Sequence, residues 1–169
     1  DSMDRILNRD LQSYQSRLGL VLDKFRHALS LDLINKRLLD IMKKDALTNV
    51  SNRRAYEDKE MFLQSKINAR DGYEFAIAMF DVNNLKMVND SEGHEAGDEL
   101  IIGSAECLRK SFDGIEPVYR LGGDEFTVIM EKPETEAEKC LEHMEKICAD
   151  WKGQFISSIS ISYGAASTE

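Results

Sequence analysis

Acidic side chains at two places in this sequence could take part in metal chemistry. Asp81 directly follows the apolar run 75–80, and Asp124 and Glu125 directly follow the Gly122-Gly123 pair. Carboxylates, a backbone carbonyl and phosphate oxygens are the ligands that Mg²⁺ accepts. Two adjacent glycines let the backbone adopt positive φ and approach a ligand without a Cβ clash. Together the two places indicate a site for a hard cation and a phosphate.

Each place also has an ordinary structural interpretation. An aspartate at the end of a strand commonly caps that strand or the following helix, and acidic residues are common in polar turns. The combination is more specific than either place alone, because a hairpin tip beside a strand end can bring Asp81 and Asp124 together. The elements that carry these residues therefore decide between the two interpretations.

The apolar patterns predict a mixed α and β region from residue 45 onward. Residues 74–82 are apolar enough for a strand buried on both faces or nearly so, and strands 118–121 and 126–131 flank the Gly-Gly pair as a hairpin. Helices are predicted at 52–68 (with Ser51 as N-cap), at 83–90 (followed by a break at Gly93), at 95–112 and at 134–151, with a last strand at 156–163. Helices between strands predict a sheet with helices packed on one face.

Residues 1–44 form a different pattern. Residues 4–44 contain no proline, and their apolar residues follow alternating spacings of four and three, typical of a coiled-coil seam. The seam consists of Leu7, Leu11, Tyr14, Leu18, Val21, Phe25 and Ala28, and it continues through Leu31, Ile34, Leu38 and Ile41 after two successive steps of three. A long exposed helix needs a partner, so a parallel homodimeric coiled coil is favoured. The alternatives are a helix folded back on its own domain and a helix cut from a larger bundle.

Composition excludes several classes of protein. With 169 residues, 42% hydrophobic and 31% charged, the chain is expected to fold as a soluble globular domain with an appendage. The net charge of −9 argues against a nucleic-acid binder that works through a broad basic face. Charge also changes near Asp45, since residues 1–44 hold nine basic and six acidic residues whereas 45–169 hold thirteen and twenty-five.

Location and redox state follow from two further observations. No apolar stretch reaches the roughly 18 residues of a membrane span, so we expect a cytoplasmic fragment, with a membrane anchor elsewhere in the full-length protein left open. The three cysteines, Cys107, Cys140 and Cys148, lack the spacing of a metal site. They are predicted to be reduced thiols packed in helices.

Five motifs occur in order between residue 45 and about residue 167. They are Asp45-Ala46-Leu47-Thr48 with Asn52-Arg53-Arg54, Phe80-Asp81-Val82-Asn83 with Lys86-Met87-Val88-Asn89-Asp90, Gly93-His94-Glu95-Ala96-Gly97-Asp98, Tyr119-Arg120-Leu121 before Gly122-Gly123-Asp124-Glu125-Phe126, and Ser160-Ile161-Ser162-Tyr163-Gly164. In this ordered set the sequence resembles the GGDEF family of diguanylate cyclases. The resemblance implies an α+β fold with a palm-like, antiparallel-containing sheet and flanking helices, as in nucleotide cyclases. Residues 1–44 would be a coiled-coil signalling helix and 45–169 the GGDEF domain.

The resemblance also implies an activity. Two GTP-loaded domains would face each other as a dimer, and each 3′-hydroxyl would attack the α-phosphate of the other GTP, giving cyclic di-GMP and two pyrophosphates. By similarity, Asp81, the Val82 carbonyl and Asp124 would hold Mg²⁺ or Mn²⁺. Glu125 would support a second metal or the 3′-hydroxyl, so Asp124 and Glu125 are the expected catalytic residues.

Contacts to GTP are implied in the same way. The backbone from Asn84 through Leu85 to Lys86 opens a short helix whose free N–H groups suit a phosphate, and the Lys86 side chain would add charge. Gly122 and Gly123 would let the backbone approach the nucleotide.

Guanine recognition would come from Asn89 and Asp98. An aspartate accepts hydrogen bonds from guanine N1–H and N2–H₂, and adenine lacks these donors. Taken alone, Asn89 is equally well a helix cap, and Asp98 is equally well a carboxylate at a helix start.

The sequence departs from the usual family pattern at three places. Asn83 stands where an Asp is usual, and we expect a modest effect. The product-inhibition motif Arg-x-x-Asp falls on residues 113–116, where the arginine is absent, so product inhibition through that site is not expected. The family's further helix and strand, which help to hold the GTP phosphates, would follow Glu169. This chain is therefore expected to bind triphosphate less tightly than a complete domain.

Two other functions compete with the cyclase. The domain could be a catalytically silent GTP-binding module that regulates an attached domain, or residues 1–44 could be the functional part as a signalling coiled coil. The expected partners are GTP, a second copy through the N-terminal helix, and an upstream sensor domain in the full-length protein, with no nucleic acid.

Overall fold

The computed structural model of the chain describes residues 2–69, 72–113, 117–131 and 135–168. The chain divides into two compact units, Asp1–Met42 and Lys43–Glu169. The first unit is one helix, α1 (Ser2–Met42). Its large apolar side chains are exposed, with Leu18 at 61% and Phe25 at 65% of their full accessible surface. The predicted long helix is present, and its pairing with a second copy stays a prediction.

The second unit contains a five-stranded sheet in the order β1-β3-β4-β2-β5. Strand β1 is parallel to β3, whereas the β3–β4, β4–β2 and β2–β5 pairs are antiparallel. The elements are β1 (Ser51–Asn52), α2 (Arg53–Ala69), β2 (Ala76–Val82), α3 (Leu85–Glu92), α4 (His94–Ser111), β3 (Val118–Gly122), β4 (Glu125–Met130), α5 (Thr135–Asp150) and β5 (Ile161–Ser167). The predicted mixed sheet with flanking helices is confirmed.

Helices α4 and α5, which connect strands, pack on one face of the sheet as expected. Their apolar residues join the strand residues in the larger core, which includes Leu108 of α4, Met144 of α5 and Phe80 of β2. Helix α2, which also lies between two strands, covers part of the opposite face, where its Leu63 packs with Tyr119 and Ile129. The prediction that the helices pack on one face therefore holds for α4 and α5 and was wrong for α2. The three cysteines lie on α4 and α5 as buried thiols outside any disulfide, as predicted.

Strand β2 is fully buried on one face, and its other face is only partly buried, at Ile77, which corrects the prediction of a strand buried on both faces or nearly so. Ala78, Phe80 and Val82 point into the larger core, whereas Met79 and Asp81 are exposed. The apolar run suggested burial at Met79 as well. This side chain is exposed, because it lies on a part of the sheet that no described helix covers. The exposed face is what makes the Asp81 side chain accessible.

Three predicted boundaries were wrong. Asn52, not Ser51, caps α2, since its Oδ1 accepts a hydrogen bond from the Ala55 N–H at 3.1 Å. The hairpin between β3 and β4 turns at two residues rather than four. The last strand begins at Ile161 rather than 156 and continues through Gly164 to Ser167.

Among the described residues, no helix combines the length and the apolar character that a membrane crossing requires.

Candidate active site

The acidic residues of β2 and the β3–β4 turn meet at one end of the sheet. Asp81 lies opposite Glu125 in the β2–β4 register. Beyond this pair, the Val82 N–H donates a hydrogen bond to the Asp124 carbonyl oxygen at 3.1 Å. The antiparallel pairing therefore brings together Asp81, Val82, Asp124 and Glu125, as the sequence predicted.

Positive φ angles shape the turn that carries Asp124. Gly122 has φ 149° and Gly123 has φ 54°, values that disfavour residues with a Cβ. The β3–β4 register shifts between Arg120 and Gly122, so the turn includes a bulge. Bulges redirect side chains near sites, and this one sets where Asp124 leaves the strand.

The Arg120 side chain holds this turn in place by hydrogen bonds. Its Nη2 and Nε donate hydrogen bonds to the Gly123 carbonyl oxygen at 2.7 and 3.1 Å, and its Nη1 donates to Asp45 Oδ1 at 3.0 Å. The same Asp45 oxygen accepts from the N–H and hydroxyl of Thr48. Burial opposes ionisation of Asp45, but the hydrogen bonds from Thr48 and Arg120 outweigh it and hold the pKa of that carboxyl below its ordinary value.

The motif that contains Asp45 and Thr48 was noted in the sequence, but its role was not. The sequence analysis did not identify Arg120 as a residue that supports the site. Two features could have indicated this role: Arg120 lies three positions before Gly123 of the turn, and the acidic residue Asp45 lies in a motif 75 positions earlier. Sequence spacing alone cannot show that such distant residues form an ion pair.

The start of α3 offers backbone donors. Asn84 precedes the helix with φ 66°, in the left-handed region, and its side chain makes no capping hydrogen bond. The exposed Lys86 and Asp90 line an open cleft with Asn84, Met87 and Ser91. The Leu85 side chain packs against the larger core. A helix start of this kind can bind a phosphate, and the phosphate contacts expected of Asn84, Leu85 and Lys86 stay a prediction.

The two predicted guanine-contacting residues are also adjacent. A Cβ placed on Gly97 would lie 2.0 Å from Asn89 Oδ1, so the Asn89 side chain rests directly against the Gly97 backbone. Asp98 is the next residue and is exposed on the first turns of α4. Gly97 therefore lets the half-buried Asn89 amide lie beside the Asp98 position.

Asn83 is held by the start of β5. Its Nδ2 donates to Ser160 Oγ at 3.0 Å, and its Oδ1 accepts from Ser162 Oγ at 3.0 Å. Its backbone N–H donates to the Ser160 carbonyl oxygen at 3.0 Å. The amide thus uses a donor and an acceptor that a carboxylate could not both supply.

The chemistry of the donor set fits a divalent cation. The described residues contain no cluster of three or more His, Cys, Asp or Glu side chains, so the protein does not form a complete cage by itself. Two carboxylates, Asp81 and Asp124, lie at one strand end with the Val82 carbonyl nearby. A Mg²⁺ ion commonly takes one or two carboxylates and completes its shell with substrate phosphates and water.

Of the segment tied to product inhibition, only Asp113 lies among the described residues, and 114–116 lie outside them.

A family model described as "Diguanylate cyclase, GGDEF domain" matches residues 42–169. The chain belongs to the GGDEF family. Curated relatives agree with this assignment. The chain is 34% identical over 122 residues to the diguanylate cyclase DgcN of Escherichia coli, covering 72% of the chain and 28% of that protein. It is 38% identical over 108 residues to the bifunctional diguanylate cyclase/cyclic di-GMP phosphodiesterase MucR of Pseudomonas aeruginosa, covering 63% of the chain and 16% of that protein. The chain therefore spans under a third of either relative.

Solved structures share the fold of this GGDEF protein. The diguanylate cyclase SiaD of Pseudomonas aeruginosa, solved with its activator SiaC, matches with a TM-score of 0.72 at 24% identity, covering 99% of this chain and 68% of that one. The coiled coil and GGDEF domain of DgcB from Caulobacter crescentus, solved with c-di-GMP, match with a TM-score of 0.71 at 22% identity, covering 93% and 84%. At these identities the likeness shows the fold alone.

Proposed function

We propose that this GGDEF domain is a diguanylate cyclase that condenses two GTP molecules into cyclic di-GMP and two pyrophosphates. The observation that carries the proposal is the convergence of Asp81, Val82, Asp124 and Glu125 at one sheet end, through the β2–β4 register and the Val82–Asp124 hydrogen bond. In each half of the reaction a bond forms between a 3′-oxygen and the α-phosphorus of the other GTP. The bond to the β-phosphate oxygen breaks, and the hydroxyl releases one proton.

Asp81, Asp124 and the Val82 carbonyl are the groups that would hold Mg²⁺ or Mn²⁺. When bound, the cation withdraws charge from the phosphate and favours ionisation of the attacking hydroxyl. Glu125 lies opposite Asp81 and is exposed, so its carboxylate can support a second cation or accept a hydrogen bond from the 3′-hydroxyl. The turn that positions Asp124 is held by Arg120, which keeps these acids in one arrangement before substrate binds.

Base and phosphates would be bound by α3 and α4. The backbone at Asn84 and Leu85 and the Lys86 side chain would contact the phosphates. Asn89 and Asp98 would bind the guanine edge, a role supported by the contact of Asn89 with the residue before Asp98. An exposed carboxylate at that position favours guanine, because adenine would leave it without a donor.

One domain holds one GTP, so the reaction needs two domains face to face. The exposed apolar residues of α1 support a parallel coiled coil as the means of pairing, because a helix with such residues in water gains stability from a second copy. Pairing through α1 would raise the effective concentration of one domain near the other. An upstream sensor in the full-length protein would then act by changing how the helices pair.

The alternative is a GTP-binding regulatory module without catalysis. The presence of Asp81, Asp124, Glu125 and Asp98 favours the enzyme, since a silent module has no need of both Asp124 and Glu125. The absence of an arginine at 113–116 leads us to propose further that product does not inhibit through that segment.

The test is incubation of the parent chain with GTP and Mg²⁺, with products separated by chromatography. Asp124→Asn keeps the shape of the side chain but removes its charge, and Asp150→Asn, at the exposed end of α5, is the matched control. Cyclic di-GMP from the parent and the control, but not from Asp124→Asn, supports the cyclase. GTP binding by equilibrium dialysis without product would favour the regulatory module, and neither binding nor product would refute both.

A further inference from the structure

The connection between α5 and β5, residues 151–160, is bound to α4 by a carboxylate. Glu99 Oε1 accepts a hydrogen bond from the Gln154 N–H at 2.6 Å. Its Oε2 accepts from the N–H groups of Phe155 and Ile156 at 2.7 and 2.9 Å. Burial opposes the charge of Glu99, but these three backbone donors outweigh it and lower its pKa. One side chain thus orders three consecutive peptide groups.

Close packing holds the same connection against α4. A Cβ on Gly103 of α4 would lie 2.5 Å from Trp151 Cζ2 and 2.7 Å from Ile159 Cδ1. A Cβ on Gly153 would lie 2.4 Å from Trp151 and 2.6 Å from the Glu99 carboxyl. Neither glycine can be replaced without movement of these neighbours, so the connection is closely fitted to the helix at both of its ends.

The C-terminal end of the connection contacts Asn83, next to the end of β2 that carries the proposed metal ligands Asp81 and Val82. Ser160, its last residue, accepts hydrogen bonds from both the backbone N–H and the side-chain amide of Asn83, and Ser162 donates to the same amide. Asn83 directly follows Val82. Glu99, which binds residues 154–156 of the connection, directly follows Asp98. The connection therefore links Glu99, which follows the proposed guanine contact Asp98, to Asn83, which follows the proposed metal contact Val82.

We propose that Glu99 and Asn83 are positioning residues for the cyclase reaction. Acting through residues 151–160, they fix the Asp81–Val82 strand end relative to the start of α4. The inference rests on the proposed function, because it assigns metal contacts to Asp81 and Val82 and a base contact to Asp98. A GTP bound at both places must present its α-phosphate in line with the attacking oxygen, and small misplacements of catalytic groups cost large factors in rate.

A role in stability alone would predict a different outcome. Loss of Glu99 would then lower the melting temperature and loosen its own loop, and it would leave the active-site turn and the turnover number of the folded enzyme unchanged. A positioning role predicts that loss of Glu99 also loosens residues 81–85, although the hydrogen bonds of Glu99 go to residues 154–156.

The experiment combines hydrogen–deuterium exchange with steady-state kinetics on the full chain. The variants are Glu99→Gln, which keeps the side-chain shape, Asn83→Ala, and both together. Glu106→Gln removes a charge from the same helix two turns away and is the control. We expect Glu99→Gln to raise exchange about tenfold in both 154–160 and 81–85, and to lower kcat about tenfold while the KM for GTP changes less than about twofold. The double variant should be no more than about twofold slower than the slower single variant, because both act on one connection.

Several results would overturn the proposal. One is faster exchange confined to 154–160 with kcat equal to that of Glu106→Gln, and another is a strictly multiplicative double variant. If Glu99→Gln does not fold, Asn83→Ala tests the same connection from its other end with the same two measurements. If the parent makes no cyclic di-GMP, the proposed function fails, and exchange alone decides whether the two segments are joined.

Discussion

The ion pair between Asp45 and Arg120 allows a quantitative test of how the acidic turn is held. Arg120 connects Asp45 to the Gly123 carbonyl, and the two side chains are 13% exposed for Arg120 and 23% for Asp45. A charge-assisted hydrogen bond contributes about 1.5–3 kcal/mol, and partial exposure reduces this by screening. We therefore expect Arg120→Met to lower the free energy of unfolding by about 2 kcal/mol. Asp45→Asn, which keeps an acceptor for Thr48, should lower it by about 1 kcal/mol.

Because both variants break the same pair, their effects should not add. A double-mutant cycle should give a coupling of about 1 kcal/mol at pH 7. The assay is urea unfolding followed by the fluorescence of Trp151, the one tryptophan in the chain. Trp151 reports on the second unit because it packs against Gly103 of α4. Arg120→Lys keeps the charge but loses the planar fork, so it should fall between the parent and Arg120→Met.

The pH dependence of the free energy of unfolding tests whether Asp45 stabilises the fold in its charged form. The pKa of Asp45 in the folded protein lies below its ordinary value of 3.8. The stabilisation from its charge is therefore complete above the unfolded pKa and disappears as pH falls through the folded pKa. The stability difference between parent and Asp45→Asn should be constant from pH 7 to about 5 and then shrink toward pH 3. A coupling under about 0.3 kcal/mol, or a difference that does not change with pH, would refute the assignment of the pair as the support of the turn.

Three further predictions follow from close contacts. Gly103→Ala should cost about 2–3 kcal/mol, because its Cβ would lie 2.5 Å from Trp151, whereas Gly164→Ala, with nothing within 4 Å, should change stability by less than about 0.5 kcal/mol in the same urea assay. If the proposed function holds, Gly97→Ala should displace the Asn89 amide and raise the KM for GTP about tenfold with kcat nearly unchanged, and an unaltered KM would contradict the guanine role of Asn89. The hydrogen bond to Cys148 and burial raise the pKa of the Cys107 thiol, so iodoacetamide at pH 8 should label Cys107 at least about a hundredfold more slowly in the native protein than in urea, and equal rates by mass spectrometry would disprove its burial.

Periodic and compositional signals predicted most of the fold. The helical spacing of α1, α4 and α5 and the apolar run of β2 are local patterns, and local patterns determine which element forms. The Gly-Gly pair predicted the hairpin because positive φ is required there and glycine is the residue that adopts it readily. The placement of Asp81 beside Asp124 then followed from antiparallel pairing of β2 with β4.

What the sequence did not show depends on contacts between distant residues. Strand β1 has two residues, too few for any periodicity, and it exists because it pairs with β3. Residues 156–160 contain two isoleucines, but their backbone bonds lie outside the sheet: the Ile156 N–H donates to Glu99 and the Ile159 N–H donates to the Cys148 carbonyl oxygen. Asn52 rather than Ser51 caps α2 because the helix begins at Arg53, which places the Asn52 side-chain oxygen within reach of the Ala55 N–H.

The contrast between local patterns and contacts between distant residues also applies to the candidate site and to the residues that hold it in place. The residues expected to contact metal and nucleotide each lie in a short motif with its own spacing, so the sequence alone could nominate them, and their roles stay predictions. The residues that hold them, Arg120 for the turn, Asn83 for the end of β2 and Glu99 for the α5–β5 connection, act through polar bonds to groups at least 55 positions away or to the backbone of a loop. Each of these bonds contributes about 1–3 kcal/mol, less than the roughly 5–15 kcal/mol that stabilises a typical domain, so the loss of one should leave the protein folded. Each nevertheless attaches a different segment of the site to the rigid sheet and helix layer. Substitutions at these supports should therefore change the geometry of the site more than they change the fraction of folded protein.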